Sequence, residues 1–275
     1  MKLAKNIVIR MLYLPIVLYF SLAIYAWFLS DRQIFLPQPA SYQDGPDILK
    51  LRSTNGTLIS ALLLTHPAAE YTLLVSHGNA EDLGDDRDWL EGLHRAGFNV
   101  FAYDYQGYGT SQGRPTEKGA YDDETAAYDY LTTNLKIAPG RIIIFGRSVG
   151  SGPAVHLAAR RPAAGLILQS PFVSAFRVLT RVPLLPFDKF PNAKEISNVH
   201  CPLLIIHGVN DSVIGLWHGK KLFELANQPK HFVAVEGADH NDLDIVAGAT
   251  YPKAVQKFAA SLGQSSGIAP GVAME

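Results

Sequence analysis

Cysteine is nearly missing from this chain: Cys201 is its single thiol, which excludes an intrachain disulfide and leaves the redox compartment open. It lies just before the apolar run Pro202 to Ile206, where a small buried side chain fits, and no helix start or basic group beside it would lower its pKa. Charge is sparse too. Asp, Glu, Lys and Arg make up 18% of the residues and sum to −1, so no positive field exists to collect phosphate or nucleic acid. Internal repeats are absent, which excludes a solenoid. Disorder is excluded by the opposite property, because 48% of the residues are hydrophobic. At 275 residues there is room for one large α/β domain with an appendage.

Part of the apolar excess is concentrated at the start. Met11 to Leu29 carries no charge, and at about 1.5 Å per residue such a helix nearly spans a hydrocarbon core of about 30 Å. The run is too long and bulky for a cleaved signal peptide, and Ile24 two places before Ala26 is not a small-x-small exit. A transmembrane anchor over 11–30 is therefore predicted, with Tyr25 and Trp27 near the far interface. Lys2, Lys5 and Arg10 precede it, so positive-inside bias puts residues 1–10 in the cytoplasm and the bulk of the chain on the extracytoplasmic side. Residues 31–46 then read as a linker, 47–262 as the catalytic domain and 263–275 as a flexible tail.

Within 47–262, Asn55-Gly56 between Asp47 to Arg52 and Thr57 to Leu64 predicts an opening hairpin. Apolar runs at Tyr71 to Ser76, Val100 to Tyr105, Arg141 to Phe145, Gly165 to Gln169, Pro202 to Ile206 and His231 to Val235 then alternate with helical patterns. Those patterns cover Asp85 to Ala96, Glu117 to Leu135, Val149 to Arg160, Leu216 to Ala226 and Asp242 to Leu262. The alternation implies a mostly parallel sheet with helices on both faces. Ser170 to Val199, rich in Pro and Phe, breaks the rhythm and reads as a short cap.

Gly146-Arg147-Ser148-Val149-Gly150 follows an apolar strand and opens an Ala-rich helix, the context of a nucleophile elbow. Its glycines allow a strained turn that lifts the Ser148 hydroxyl above the sheet and sets the Val149 N–H beside it. The loop after the first parallel strand, Ser76-His77-Gly78-Asn79, is where a second oxyanion donor is needed, and the Asn79 N–H fits that role. His77 lacks a second ligand at metal spacing, so no metal is expected there. Asp211, after the late strand Pro202 to Ile206, and His240, after the last strand, complete the order Ser, Asp, His. Asp239 is too near His240 in sequence to reach around its ring, and Asp242 is better placed as a helix cap. Phe172, Phe176 and Leu184 in the cap supply apolar surface for a substrate groove. A short cap suggests an open groove, favouring activated C2 to C8 acyl esters over long-chain triglycerides.

The runs HGNAEDLG, YDYQGYGTSQGRPTE, GRSVGSGPAVHLA, QSPFVSAFRV, FPNAKEI, LLIIHGVNDSVI and VEGADHNDL together resemble the α/β-hydrolase-domain serine hydrolases that include membrane-associated protein depalmitoylases. The resemblance covers about Asp47 to Leu262 and implies the α/β-hydrolase fold, a triad on Ser148, Asp211 and His240, and cofactor-free hydrolysis of acyl esters or thioesters. The N-terminal cysteine cluster of the depalmitoylase branch is absent here. Expected partners are a small acyl ester or thioester, a lipid or lipidated protein, and a membrane met through the N-terminal helix. Beside an esterase or thioesterase stand a depalmitoylase or lysophospholipase and a catalytically silent, membrane-tethered binding module.

Overall fold

The computed structural model describes residues 2–264, with side chains from Tyr13 to Gly263. Of the expected tail, 265–275 lies outside the described residues. The strands are β1 (Ile48–Arg52), β2 (Leu58–Leu64), β3 (Thr72–Ser76), β4 (Asn99–Tyr103), β5 (Ile142–Arg147), β6 (Gly165–Gln169), β7 (Leu203–Gly208) and β8 (Lys230–Val235). The helices are α1 (Lys2–Leu29), α2 (Asp31–Ile34), α3 (Arg87–Arg95), α4 (Glu117–Asp129), α5 (Ser151–Ala158), α6 (Ala175–Leu179), α7 (Asn192–Glu195), α8 (Trp217–Leu225), α9 (Leu243–Ala247) and α10 (Thr250–Gln264).

All eight strands form one sheet in the order β1-β2-β4-β3-β5-β6-β7-β8. The β1–β2 and β2–β4 pairings are antiparallel; from β4 to β8 every pairing is parallel. Alternate side chains of one strand feed opposite layers, as the period of two requires. On β5, Ile142 and Ile144 pack with Ala127 of α4 and Val155 of α5. Ile143 and Phe145 pack with Leu90 of α3 and Val255 of α10 on the other face. Burial on both faces is why the middle of β3 (Leu73 to Val75), β5 (Ile142 to Phe145) and β7 (Leu203 to Ile206) runs apolar without alternation.

Local chemistry explains where elements depart from the sequence pattern. In the opening hairpin only Gly56 takes a positive φ, +92°. Asn55 acts through its side chain instead, accepting from the Thr57 N–H at 3.1 Å and donating to Gln106 Oε1. The helical pattern after Glu117 leaves α-geometry at Asp129 and ends in a wider turn over Tyr130–Asn134. There Thr132 Oγ1 donates back to the Tyr128 carbonyl at 3.0 Å, competing with the helical ladder. The pattern from Asp242 splits into α9 and α10 at Gly248, φ +51°, a left-handed stop followed by Pro252 in the first turn of α10.

Glu124 of α4 is fully buried beneath β3, where it accepts from Ser76 Oγ at 3.0 Å. Burial raises its carboxyl, and the Ser76 bond opposes this only in part, leaving it at about 8 against an ordinary 4.5. Between those values the native state holds a proton that the unfolded chain has released, so stability falls as pH rises through the window. Glu124→Gln should flatten that slope and stabilise the protein at pH 7 by about 2–3 kcal/mol. Urea titrations of both proteins at pH 5 and pH 8 check this; parallel slopes would contradict it.

The N-terminal segment corrects the expected transmembrane helix and the topology built on it. Among the described residues no helix is long and apolar enough to cross a membrane. Single-pass insertion, with a cytoplasmic N-terminus and the domain on the extracytoplasmic side, is therefore withdrawn, as is membrane attachment through this helix. The physical reason lies in what the end of the apolar run does. Ala26 and Ser30 are buried against the domain, and the Trp27 indole meets the Phe187 ring edge-on at 5.0 Å. Phe35 enters the core among Tyr105, Tyr108 and Phe190. With Ala26 and Ser30 turned onto the domain, the apolar stretch free to face lipid falls short of the roughly 20 residues a span needs.

Candidate active site

The loops after β3, β5, β7 and β8 leave the sheet at its carboxyl edge, where ligand sites of open parallel sheets form. At the end of β5 the chain turns at Ser148, whose φ is +52°, then passes through a tight turn over Ser148–Gly150 into α5. Gly146 and Gly150 make this turn possible. A Cβ on Gly146 would sit 2.6 Å from Ala154 Cβ and 2.8 Å from Ser151 Cα, and one on Gly150 would meet the Ser76 and His77 carbonyl oxygens.

Three residues from distant parts of the chain meet here. Ser148 Oγ lies 2.9 Å from His240 Nε2, and His240 Nδ1 lies 2.8 Å from Asp211 Oδ2. The other Asp211 oxygen accepts from the Ile214 N–H at 2.6 Å and the Val213 N–H at 3.0 Å. His207 Nε2 stands 3.4 Å from Asp211 Oδ2 while bonding the Ile214 carbonyl at 2.7 Å. Burial raises the Asp211 carboxyl, but hydrogen bonds to His207 and His240 outweigh it and hold the group well below the usual carboxylate range. Asp211 is therefore an anion that keeps the histidine ring aimed.

The neighbouring acids do other work. Asp239 Oδ1 accepts from the Ser212 and His240 N–H groups, both at 2.7 Å, so it ties the two loops together through backbone rather than through the ring. Asp242 accepts from the Asp239 N–H at 2.7 Å and places no side-chain cap on α9.

Asn79 and Val149 both border the cavity that opens above Ser148. The Asn79 side chain is spent elsewhere: its Nδ2 donates to the Ile34 carbonyl at 2.7 Å, and its Oδ1 accepts from the Leu36 N–H and Tyr108 Oη. Only backbone at this position is left to face the cavity. Beneath it, the Gly78 N–H donates to Glu81 Oε1 at 2.6 Å. Arg147 stands 3.6 Å from Glu81 and 3.2 Å from Asp86 and stacks over Trp89. His77, Glu81 and Asp86 thus form a metal-sized cluster, but a guanidinium already supplies its positive charge. His77 pairs with Asp104 at 3.3 Å; burial disfavours its charge, yet Asp104 prevails and lifts it to about 9.

The cavity measures about 650 Å³. Phe172, Phe176 and Leu184, the expected groove residues, all line it, with Leu179, Leu185 and Phe187. Phe190 does not; it is buried against Gly152. Sequence reasoning missed three features: His207 under Asp211, the Glu81–Arg147–Asp86 group, and a wall formed by Leu22, Tyr25 and Ala26 of α1. The first carried a faint signal in the spacing of His207 and Asp211, four residues apart.

Several known proteins resemble this chain. The profile of a family described as Hydrolase_4, serine aminopeptidase S33, matches residues 67–186. The fold is similar to the Pyrococcus furiosus esterase Pf2001, with TM-score 0.70 and 18% identity over 82% of this chain and 98% of that one. It is also similar to a monoacylglycerol lipase from Paleococcus ferrophilus, with TM-score 0.60 and 20% identity over 74% and 99% of the two chains. Alpha/beta hydrolase domain-containing protein 17B of Homo sapiens is 44% identical over 207 residues, 74% of this chain and 72% of that protein. Protein 17C of Xenopus laevis is 41% identical over 209 residues, 74% and 67% of the two chains. With that identity spread over most of both sequences, the chain belongs to the α/β-hydrolase-domain family of ester-hydrolysing serine hydrolases.

Proposed function

We propose that the protein cleaves acyl esters and thioesters through Ser148, His240 and Asp211. The observation that carries this reading is the continuous line from Ser148 Oγ to His240 Nε2 at 2.9 Å and from His240 Nδ1 to Asp211 Oδ2 at 2.8 Å. It begins on a residue held at positive φ at the foot of an apolar cavity.

In this mechanism Ser148 Oγ attacks the acyl carbonyl carbon as its proton passes to His240 Nε2, and Asp211 stabilises the resulting imidazolium. The N–H groups of Val149 and Asn79 receive the oxyanion. Collapse expels the alcohol or thiol, which takes the proton from His240 and leaves an acyl group on Ser148. Water, deprotonated by His240, then attacks the acyl-enzyme; the Ser148 Oγ–acyl bond breaks, Ser148 Oγ takes the proton back from His240, and the carboxylic acid is released.

The cavity favours an acyl group over a peptide amine. Its acidic lining residues are Glu81 and Asp188, and both are engaged: Glu81 by Gly78 and Arg147, Asp188 by Ser174 Oγ and the Phe176 N–H. Neither is free to hold a substrate ammonium. The finer substrate class, whether acyl-protein thioester or lysophospholipid, is part of the proposal, and a panel of both classes ranks them.

A fluorophosphonate should label the full-length protein on Ser148, read by peptide mass spectrometry. A protein left unlabelled would instead be the silent binding module. Asp211→Asn should keep the backbone bonds to residues 213 and 214 yet lower kcat by about 10⁴-fold, since an amide can hold His240 in the wrong tautomer. Ester turnover within tenfold of the parent protein would remove Asp211 from the mechanism.

A further inference from the structure

The geometry points to the C-terminal turns of α1 as an acyl-chain wall, in which Leu22, Tyr25 and Ala26 hold the distal methylenes of a linear acyl group attached at Ser148. This rests on the proposed role of Ser148. It adds a part of the chain that the hydrolase motifs do not reach.

The cavity has two apolar sides. Leu22, Tyr25 and Ala26 border it from α1, and Phe176, Leu179, Leu184 and Phe187 border it from the cap. The two sides are joined. Trp27 packs edge-on against Phe187 at 5.0 Å, and Phe187 against Phe176 at 6.0 Å. Beyond the helix, Asp31 stands 3.2 Å from Lys189 Nζ in the cap, and the Ile34 carbonyl accepts from Asn79. The wall is thus braced against the cap and against the loop that faces the oxyanion.

The lining shows what it takes. Arg177, a cation on the cap side, is occupied by the Thr180 and Arg181 carbonyls, and the acids are paired as described above. A methylene needs about the room of a water molecule, roughly 30 Å³, so 650 Å³ accommodates a chain well beyond eight carbons. Without α1 the cap alone would leave an open groove that stops rewarding added carbons early. With it, each further buried methylene should favour the substrate by up to about fourfold.

The full-length protein is tested with p-nitrophenyl butanoate and dodecanoate. Leu22→Trp, at a half-exposed position, projects bulk into the cavity and should lower the dodecanoate-to-butanoate ratio of kcat/KM at least tenfold. Ile24→Trp, the same change at an exposed position on α1 outside the lining, should leave the ratio unchanged. Equal ratios in all three proteins would overturn the wall. A second measurement is independent of turnover. In a Ser148→Ala background, calorimetry should show dodecanoate bound about tenfold more weakly once Leu22→Trp is added, and unchanged affinity would likewise overturn the proposal. Failure of fluorophosphonate labelling with the affinity difference intact would remove Ser148's role and leave the wall standing.

Discussion

Ser148→Ala is expected to keep its fold and to lose at least about four orders of magnitude in ester turnover, because the proposed nucleophile is gone while the proposed oxyanion donors and the cavity remain. The elbow depends on Gly146 and Gly150 rather than on the hydroxyl. Ser148→Gly should be equally inactive but more stable. A residue with a side chain at φ +52° carries strain of about 1 kcal/mol or more, which glycine relieves. For a domain of this size that is a gain of about 2–4 °C in Tm over Ser148→Ala. Turnover by either variant within a hundredfold of the parent would remove Ser148 as nucleophile. Equal melting temperatures would show that the elbow is unstrained.

Gly150→Ala should be the most damaging single methyl in the protein. Its Cβ would fall onto the Ser76 carbonyl oxygen and lie 2.7 Å from that of His77. Both atoms are backbone at the end of a strand paired to β5, so neither can turn aside as a side chain would. The clash must be relieved by parting β3 from the start of α5, which costs packing on both. A loss of about 4 kcal/mol or more is expected, enough to abolish soluble expression or lower the urea midpoint sharply. Gly56→Ala offers a contrast, since nothing lies near its would-be Cβ. There only the positive φ is penalised, by about 1 kcal/mol. Similar midpoints for the two variants would show that the close approach at Gly150 does not matter.

Much of this protein is legible before its structure is seen. Strand and helix order follow from apolar runs of matching length, because a strand buried on both faces must be apolar along its buried length, as Ile142 to Phe145 of β5 and Leu203 to Ile206 of β7 are. Local geometry is also readable at glycine: the elbow at Gly146 and Gly150, and the turn at Gly56. Where local reading fails, a side chain usually interferes with backbone. Thr132 bonding back to Tyr128 widens the end of α4, and Gly248 cuts a helical pattern in two. Neither effect appears in hydrophobic periodicity.

The N-terminal run marks the boundary most clearly. Its residues state only that they avoid water; they do not state whether lipid or protein will cover them. Local composition determines that Met11 to Leu29 is uncharged and apolar. Whether any of that apolar surface meets protein is a question of distance in space: at its C-terminal end Trp27 touches Phe187 of the cap, more than a hundred positions away, while most of its other large apolar side chains stay exposed. The same division holds at the site. Motif spacing selects Ser148, Asp211 and His240, since each must follow its own strand. Only the sheet order β5-β6-β7-β8 brings the three loops to one edge, where His207 can share Asp211 and Asp239 can bind the loops together. Hydrogen bonds between groups of high sequence separation leave no trace in either segment alone, because each partner reads as an ordinary polar residue until the fold puts the other within 3 Å.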